Sequence, residues 1–318
     1  MTNLRLIVPA ALVAQVLALL RELVSVTNVV HVPGVAIEPA GDVINADVAR
    51  EDVSLVLERL CALGLDETGG ISIQTVDASV SAGARHAMRE AEGFASDAVL
   101  WEQVEETVSE STELSFSFLA FMVIATCLAA IGILTDSAIL IVGAMVVGPE
   151  FGPLAALCVA IVRRRMLIAR TSATALVAGF ALAILAAYAL TAALRAADLG
   201  PDAAALEDRA QTFFISHPDT FSVLVALLAG TAGMLSLSTA KSGALIGVLI
   251  SVTTIPAAAN IGVAAAYRNW DECQGAALQL GLNLSAIVVA GVVTLAVERA
   301  SFGRRRQREA QRAEQVPD

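Results

Sequence analysis

Glu150 stands between two glycine–proline pairs, in Gly148-Pro149-Glu150-Phe151-Gly152-Pro153, and no other charged residue occurs between Ala138 and Val162. Proline removes a backbone donor and clashes with the preceding turn, so the two pairs unwind a helix at this point. In hydrocarbon the released N–H and C=O groups have no water to turn to. Irregular backbone persists there only where protein buries it or a wet cavity passes it. An ionised carboxylate at that depth costs about 3 kcal/mol or more. Glu150 must therefore be protonated, paired or hydrated. The chemistry open to it is proton relay or cation ligation. The structural alternative is a carboxyl that bonds the free N–H groups of the broken helix.

A second break, Thr253-Thr254-Ile255-Pro256, follows in a run of similar wording. Asp136-Ser137-Ala138-Ile139-Leu140-Ile141-Val142-Gly143 precedes the first break, and Lys241-Ser242-Gly243-Ala244-Leu245-Ile246-Gly247-Val248 precedes the second. Each break runs on into small residues and then arginine, Arg163 and Arg268. Matched interrupted helices in two halves point to a transport site at the bilayer midplane. Asn260 and Asn283 join the candidates, because an amide has four bonding positions and rarely satisfies them within its own helix. The candidate substrate or ion pathway is thus Gly148, Pro149, Glu150, Gly152 and Pro153, with Thr253, Thr254, Pro256, Asn260 and Asn283. Ser and Thr elsewhere in the spans are expected to bond their own helices.

No enzyme constellation accompanies these residues. His31, His86 and His217 are far apart, and HExxH, GxSxG, Walker and GxGxxG motifs are absent. No catalytic residue, cofactor or metal ligand is expected. Cys61, Cys127, Cys158 and Cys273 lack metal or disulfide spacing and read as small buried hydrophobes. A net charge of −11 argues against nucleic acid as a partner.

The elements that must position the breaks follow from composition. The 318 residues are 57% hydrophobic and 16% charged, with a mean hydropathy of +0.73. A soluble protein is nearer a quarter charged, so a bilayer is the expected environment. A span needs roughly 20 apolar residues. Six candidates are Leu114–Leu134, Ala138–Val162, Ser172–Leu194, Phe221–Ala240, Ala244–Tyr267 and Ala276–Val297. Consecutive spans put Arg163-Arg164-Arg165, Arg170, Lys241 and Arg304-Arg305-Arg306 on one side, with the amino-terminal domain. Asp136, the loop Arg195–Thr220 and Asp271-Glu272 fall on the other. Basic residues mark the cytoplasmic side, so both termini are expected there. Three spans per half would invert the second half relative to the first.

Before the spans the pattern alternates between strand and helix: Leu4–Val8 strand, Ala10–Leu23 helix, Asn28–Val32 strand, a Pro33-Gly34 turn, Asp42–Val48 strand, Glu51–Leu63 helix and Ile71–Val76 strand. The order βαββαβ is the ferredoxin-like split motif. Eighteen of the 31 acids precede Leu114, against six arginines, so a domain boundary is expected near Thr112–Leu114. The fold class is α+β: a cytoplasmic ferredoxin-like head (1–78), a helical connector (79–113), an all-α six-span body built as two inverted three-helix repeats with broken middle helices (114–298), and a basic cytoplasmic tail (299–318). In the connector Leu100, Val104 and Val108 share one face, which reads as a solvated stalk helix or, alternatively, as a subunit-contacting helix at the membrane surface with Trp101 near the headgroups.

The run Leu134-Thr135-Asp136-Ser137, followed by Ile141-Val142-Gly143-Ala144-Met145-Val146-Val147-Gly148-Pro149-Glu150-Phe151-Gly152-Pro153, resembles the signature of the bacterial domain-of-unknown-function family 389, the uncharacterised hydrophobic domain membrane proteins. Gly41-Asp42-Val43 and Ala46-Asp47-Val48-Ala49-Arg50 resemble its actinobacterial branch. That resemblance implies a multi-pass protein of the bacterial cell membrane and no activity. The residues point to a secondary transporter or channel for a small solute or ion, with the lipid bilayer and further copies of the chain as partners. The alternative is a non-transporting sensor or scaffold whose head binds a partner or metabolite.

Overall fold

The computed structural model describes residues 1–76, 79, 81–90, 114–202, 215, 219–239 and 253–313. The chain divides into two compact units, Met1–Gln103 with Glu309–Asp318, and Val104–Arg308. The expected connector helix around Trp101 and the segment Lys241–Val248 lie outside the described residues, as does most of Arg195–Thr220.

The first unit is a four-stranded antiparallel sheet with strand order β2-β3-β1-β4. It runs β1 (Thr2–Val8), α1 (Val13–Glu22), β2 (Val26–Ile37), β3 (Ala40–Val48), α2 (Val53–Ala62), the single turn α3 (Leu65–Thr68) and β4 (Gly70–Thr75), with α4 (Ala82–Glu90) beyond. Period-two burial in β1 sends Leu4, Leu6 and Val8 inward, beside Ile44, Ala46 and Val48 of β3. Val16 and Leu20 of α1 and Val53, Val56, Leu57 and Leu60 of α2 close this core. Pro33-Gly34 is not the turn expected from its chemistry. It lies inside edge strand β2, at a register shift between Val32 and Ala36, with Gly34 at φ +65°. Asp42 Oδ1 accepts from the Gly34 N–H at 2.9 Å, so a bulge absorbs both residues without ending the strand.

The second unit is helical: α5 (Phe116–Leu134), α6 (Ala138–Val147), α7 (Phe151–Arg163), α8 (Met166–Ala196), α9 (Thr220–Ser238), α10 (Thr254–Tyr267) and α11 (Trp270–Ala313), the last as far as Arg308. Four of them, α5, α8, α9 and α11, are long and apolar enough to cross a membrane, and α6 with α7 makes a fifth candidate bent by 52°. Large apolar side chains such as Ile139, Val177, Leu185, Leu228 and Val293 are exposed, as lipid-facing positions are. The packed interior is alanine- and glycine-rich, which lets helix backbones approach closely. The basic stretch Arg304-Arg305-Arg306 is helical and continues α11.

Helix ends recur at one spacing. The starts of α5 and α9, Phe116 and Thr220, are 104 residues apart, as are their ends, Leu134 and Ser238. Ser115 and Asp219 cap those starts by accepting from the third residue on, Phe118 and Ser222. Arg164 after α7 and Arg268 after α10 both turn left-handed, at φ 58° and 60°. The next residues, Arg165 and Asn269, donate to Ala160 and Ala264, closing the same helix-ending motif twice.

Candidate functional site

α6 ends at Gly148, whose backbone is extended, and α7 restarts after Glu150. Pro149 forbids the continuation. Thr253 is the N-cap position of α10, and Thr254 and Pro256 lie in its first turn. Gly152 and Pro153 hold the equivalent first turn of α7.

The two restarts meet. Thr254 Oγ1 donates to Glu150 Oε1 at 2.7 Å, and both residues are sealed in, at 1% and 4% exposure respectively. Glu150 Oε2 has no partner among the described residues. Gly148 makes the approach possible. A Cβ there would stand 2.4 Å from Glu150 Oε2 and 2.7 Å from Ile255 Cγ1, closer than real Cβ contacts.

Beside this pair, Thr253 Oγ1 accepts from Asn283 Nδ2 at 2.9 Å and from Gln279 Nε2 at 3.3 Å. Gln279 and Asn283 are each 2% exposed, and their amide oxygens are unpartnered among the described residues. Gln279 was not among the expected residues. Its signal is its place one turn before Asn283 on α11, so the two amides share a helix face. Asn260 does not join the cluster. It lies further along α10, where its Nδ2 donates to Glu272 Oε1 at 3.2 Å.

Both half-helices begin without closure by their N-cap side chains. Leu154 donates to the Glu150 carbonyl, and Pro153 and Pro256 have no N–H to offer. The N–H groups left over are those of Phe151 and Gly152 on α7, and of Thr254 and Ile255 on α10. None of these four meets an acceptor among the described residues. A buried helix end in that condition needs a partner. Each end also carries the positive pole of its helix, roughly half an elementary charge.

Among the described residues the other charged side chains stand far from this junction. Arg163 ends α7 and Arg268 follows α10, each about 20 Å away at 1.5 Å per residue. Arg195 of α8 donates to the Ala266 carbonyl and stacks 4.3 Å above the Tyr267 ring. Arg299 of α11 donates to the Val162 carbonyl. Among the described residues no group of three or more His, Cys, Asp or Glu side chains could hold a metal ion.

Residues 145–289 match the family model described as "Domain of unknown function (DUF389)". An uncharacterized protein of the archaeon Methanocaldococcus jannaschii is 26% identical over a region covering 59% of this chain. The match spans 58% of that relative's own length. No solved structure matches the chain.

Proposed function

With residues 145–289 belonging to the DUF389 family, whose description assigns no activity, we propose that the protein is a multi-pass membrane transporter or channel for a small solute or ion. Its pathway passes the junction of the two breaks, and Glu150 is the group that takes up and releases protons there. Both termini are cytoplasmic, and the body is two inverted repeats of three spans, α5–α8 with α6 and α7 as one broken span, and α9–α11, related by a pseudo-two-fold axis in the membrane plane.

The observation that carries this reading is the bond between Glu150 and Thr254, which are 104 residues apart. That is also the spacing of the helix ends. Counterparts related by a two-fold touch each other only at the axis, so the axis runs through this bond. Two further contacts come in the reciprocal pairs that such an axis demands. Arg195 reaches Ala266, and Arg299 reaches Val162, the counterpart of Ala266. Gly262 lies against Ala187, and Gly291, the counterpart of Ala187, lies against Cys158, the counterpart of Gly262. An ionisable group buried on the axis of a repeat, at a broken helix, is placed as a coupling group is.

The test is flux from the full-length protein in vesicles that contain a pH dye. A panel of inorganic and organic salts is imposed as gradients. The wild type moves protons with at least one salt, and Glu150→Gln lowers that rate at least tenfold. Rates equal to protein-free vesicles, or unchanged in the variant, would overturn the reading. The edge strand β2, with Val30, Val35 and Ile37 exposed, favours a second role for the head in binding a partner, including another copy of the chain.

A further inference from the structure

We infer that the junction binds a small monovalent anion of carboxylate type, and that the Glu150 carboxylate is its resident competitor. The inference rests on the reading of the junction as a ligand site and names the class of ligand.

Two half-helices present their N-termini to one point. α7 has 13 residues and α10 has 14, so each carries a full dipole. Together they supply roughly one positive charge and four N–H donors that meet no acceptor among the described residues, from Phe151, Gly152, Thr254 and Ile255. That is the equipment of an anion site. It is a poor cation site, because the helix poles offset the one negative charge that a cation would seek.

A second observation points the same way. Glu150 is almost fully buried, and one of its carboxyl oxygens is bound only to Thr254 while the other is unpartnered among the described residues. The chain has placed its own carboxylate where the helix poles converge, yet the carboxylate does not saturate them. Gln279 and Asn283, buried beside it, hold amide groups that can turn either N–H or C=O toward a guest. Among the described residues no other charge competes. α5, α6, α7 and α10, the elements around the junction, carry charge only at or beyond their ends, at Asp136, Arg163 and Arg268. On α8 the charged groups are Arg170 and Arg195. On α11 they are Asp271, Glu272, Glu298, Arg299, and the arginines and Glu309 beyond. Glu272 is held by Asn260 and Asn269, and Glu298 by Ser238.

Two carboxylate charges cannot share one buried point. The site therefore holds one negative charge at a time. Either Glu150 is ionised and the guest absent, or the guest anion is bound and Glu150 carries the proton. Each anion bound takes up one proton, and each anion released returns it. This exchange needs no charged partner elsewhere in the body, and it ties anion movement to proton movement in the same direction.

The probe is formate, measured by thermal unfolding of the full-length protein in detergent. Sodium formate is compared with sodium sulfate and with choline formate. In the wild type the formate concentration giving half the full rise in Tm falls at least tenfold from pH 7.5 to pH 5.5. Glu150→Ala vacates the position, and at pH 7.5 it binds formate at least tenfold more tightly than the wild type. Glu150→Gln, which keeps the size without the charge, removes the pH dependence. A rise in Tm that follows sodium and not formate would overturn the inference. So would a formate effect that is the same in the wild type at both pH values. Formate binding without flux in vesicles supports the anion site and overturns permeation. Flux of cations with no formate effect leaves the pathway standing and overturns the anion site.

Discussion

The two helix triplets share their ends and differ in their polar content. α5 and α9 have the same 19-residue length. The half-helices α7 and α10 close with the same left-handed arginine. Counting 104 residues back from Thr253, Gln279 and Asn283 gives Pro149, Ala175 and Gly179. The second triplet therefore brings a hydroxyl and two amides to the junction, where the first brings a proline ring and small residues. At the bond that joins the two breaks one member is a carboxyl and the other its hydroxyl donor. The difference teaches that backbone geometry and chemistry were set separately. Helix ends that recur at one spacing frame the meeting point, and the later helices supply most of the polar groups around it.

The largest effect is expected at Gly148. Gly148→Leu forces a side chain into Glu150 and Ile255, and overpacking of this kind costs typically 1–3 kcal/mol or more. Thermal unfolding in detergent reads it. A variant as stable as the wild type would mean that the two breaks do not press together.

Gly262 and Gly291 test whether the halves pack alike. A Cβ at Gly262 would stand 2.8 Å from the Ile184 carbonyl and 2.8 Å from the Tyr188 N, both backbone atoms. At Gly291 it would stand 2.8 Å from Cys158 Sγ, a side-chain atom rather than backbone. Each alanine variant lowers stability, by about 1–3 kcal/mol, with Gly262→Ala the more severe. One silent and one damaging substitution would break the proposed symmetry of packing.

Asn283 sharpens the polar difference. Asn283→Leu removes the shorter of the two bonds to Thr253, and loss of a buried hydrogen bond costs about 1–2 kcal/mol. Ala175→Ser at the counterpart of Gln279 changes stability by less, because a serine there bonds its own helix. Equal effects would mean that the polar wall has no special place in the second triplet.

How much of this was legible in the sequence differs by feature. Both breaks were, since Gly148-Pro149 and Thr253–Pro256 carry backbone chemistry that allows no continuous helix. Glu150 was, because a lone acid in an apolar run is conspicuous. Gln279 was not, because one amide in an alanine-rich span resembles any interior polar residue. The spacing of the halves was visible only to within a residue. Similar wording pairs Asp136 with Lys241, one step off the 104-residue spacing of the helix ends, because packing constrains caps and glycine contacts more tightly than side-chain identity. In the head the strands and helices followed from period, but the Pro33-Gly34 turn did not. An edge strand tolerates a proline and a bulged glycine, and only pairing with Asp42 decides between the two outcomes.

The smallest effect lies in that head, away from the halves, and gives their comparison a control. His31 bonds Asp42 at 2.6 Å, and this bond, with the Gly34 N–H, holds the Asp42 carboxyl below its ordinary value of 3.8. A depressed carboxyl contributes stability that is complete above the unfolded value and lost as pH falls through the folded one. Asp42→Asn therefore speeds amide exchange in the β2–β3 hairpin of the full chain at pH 7 and at pH 5, and the difference closes below about pH 4. Exchange in the membrane helices does not change. A difference that persisted at low pH would remove the ionised carboxylate from the account.

The claim on which the rest depends is that the two breaks meet through Glu150 and Thr254. A double-mutant cycle on unfolding, with Glu150→Ala, Thr254→Val and both together, measures that meeting without any knowledge of the substrate. The account predicts that the double variant differs from the sum of the singles by about 1–2 kcal/mol, as residues in direct buried contact do. Effects that add to within about 0.3 kcal/mol would place the two side chains apart and contradict it.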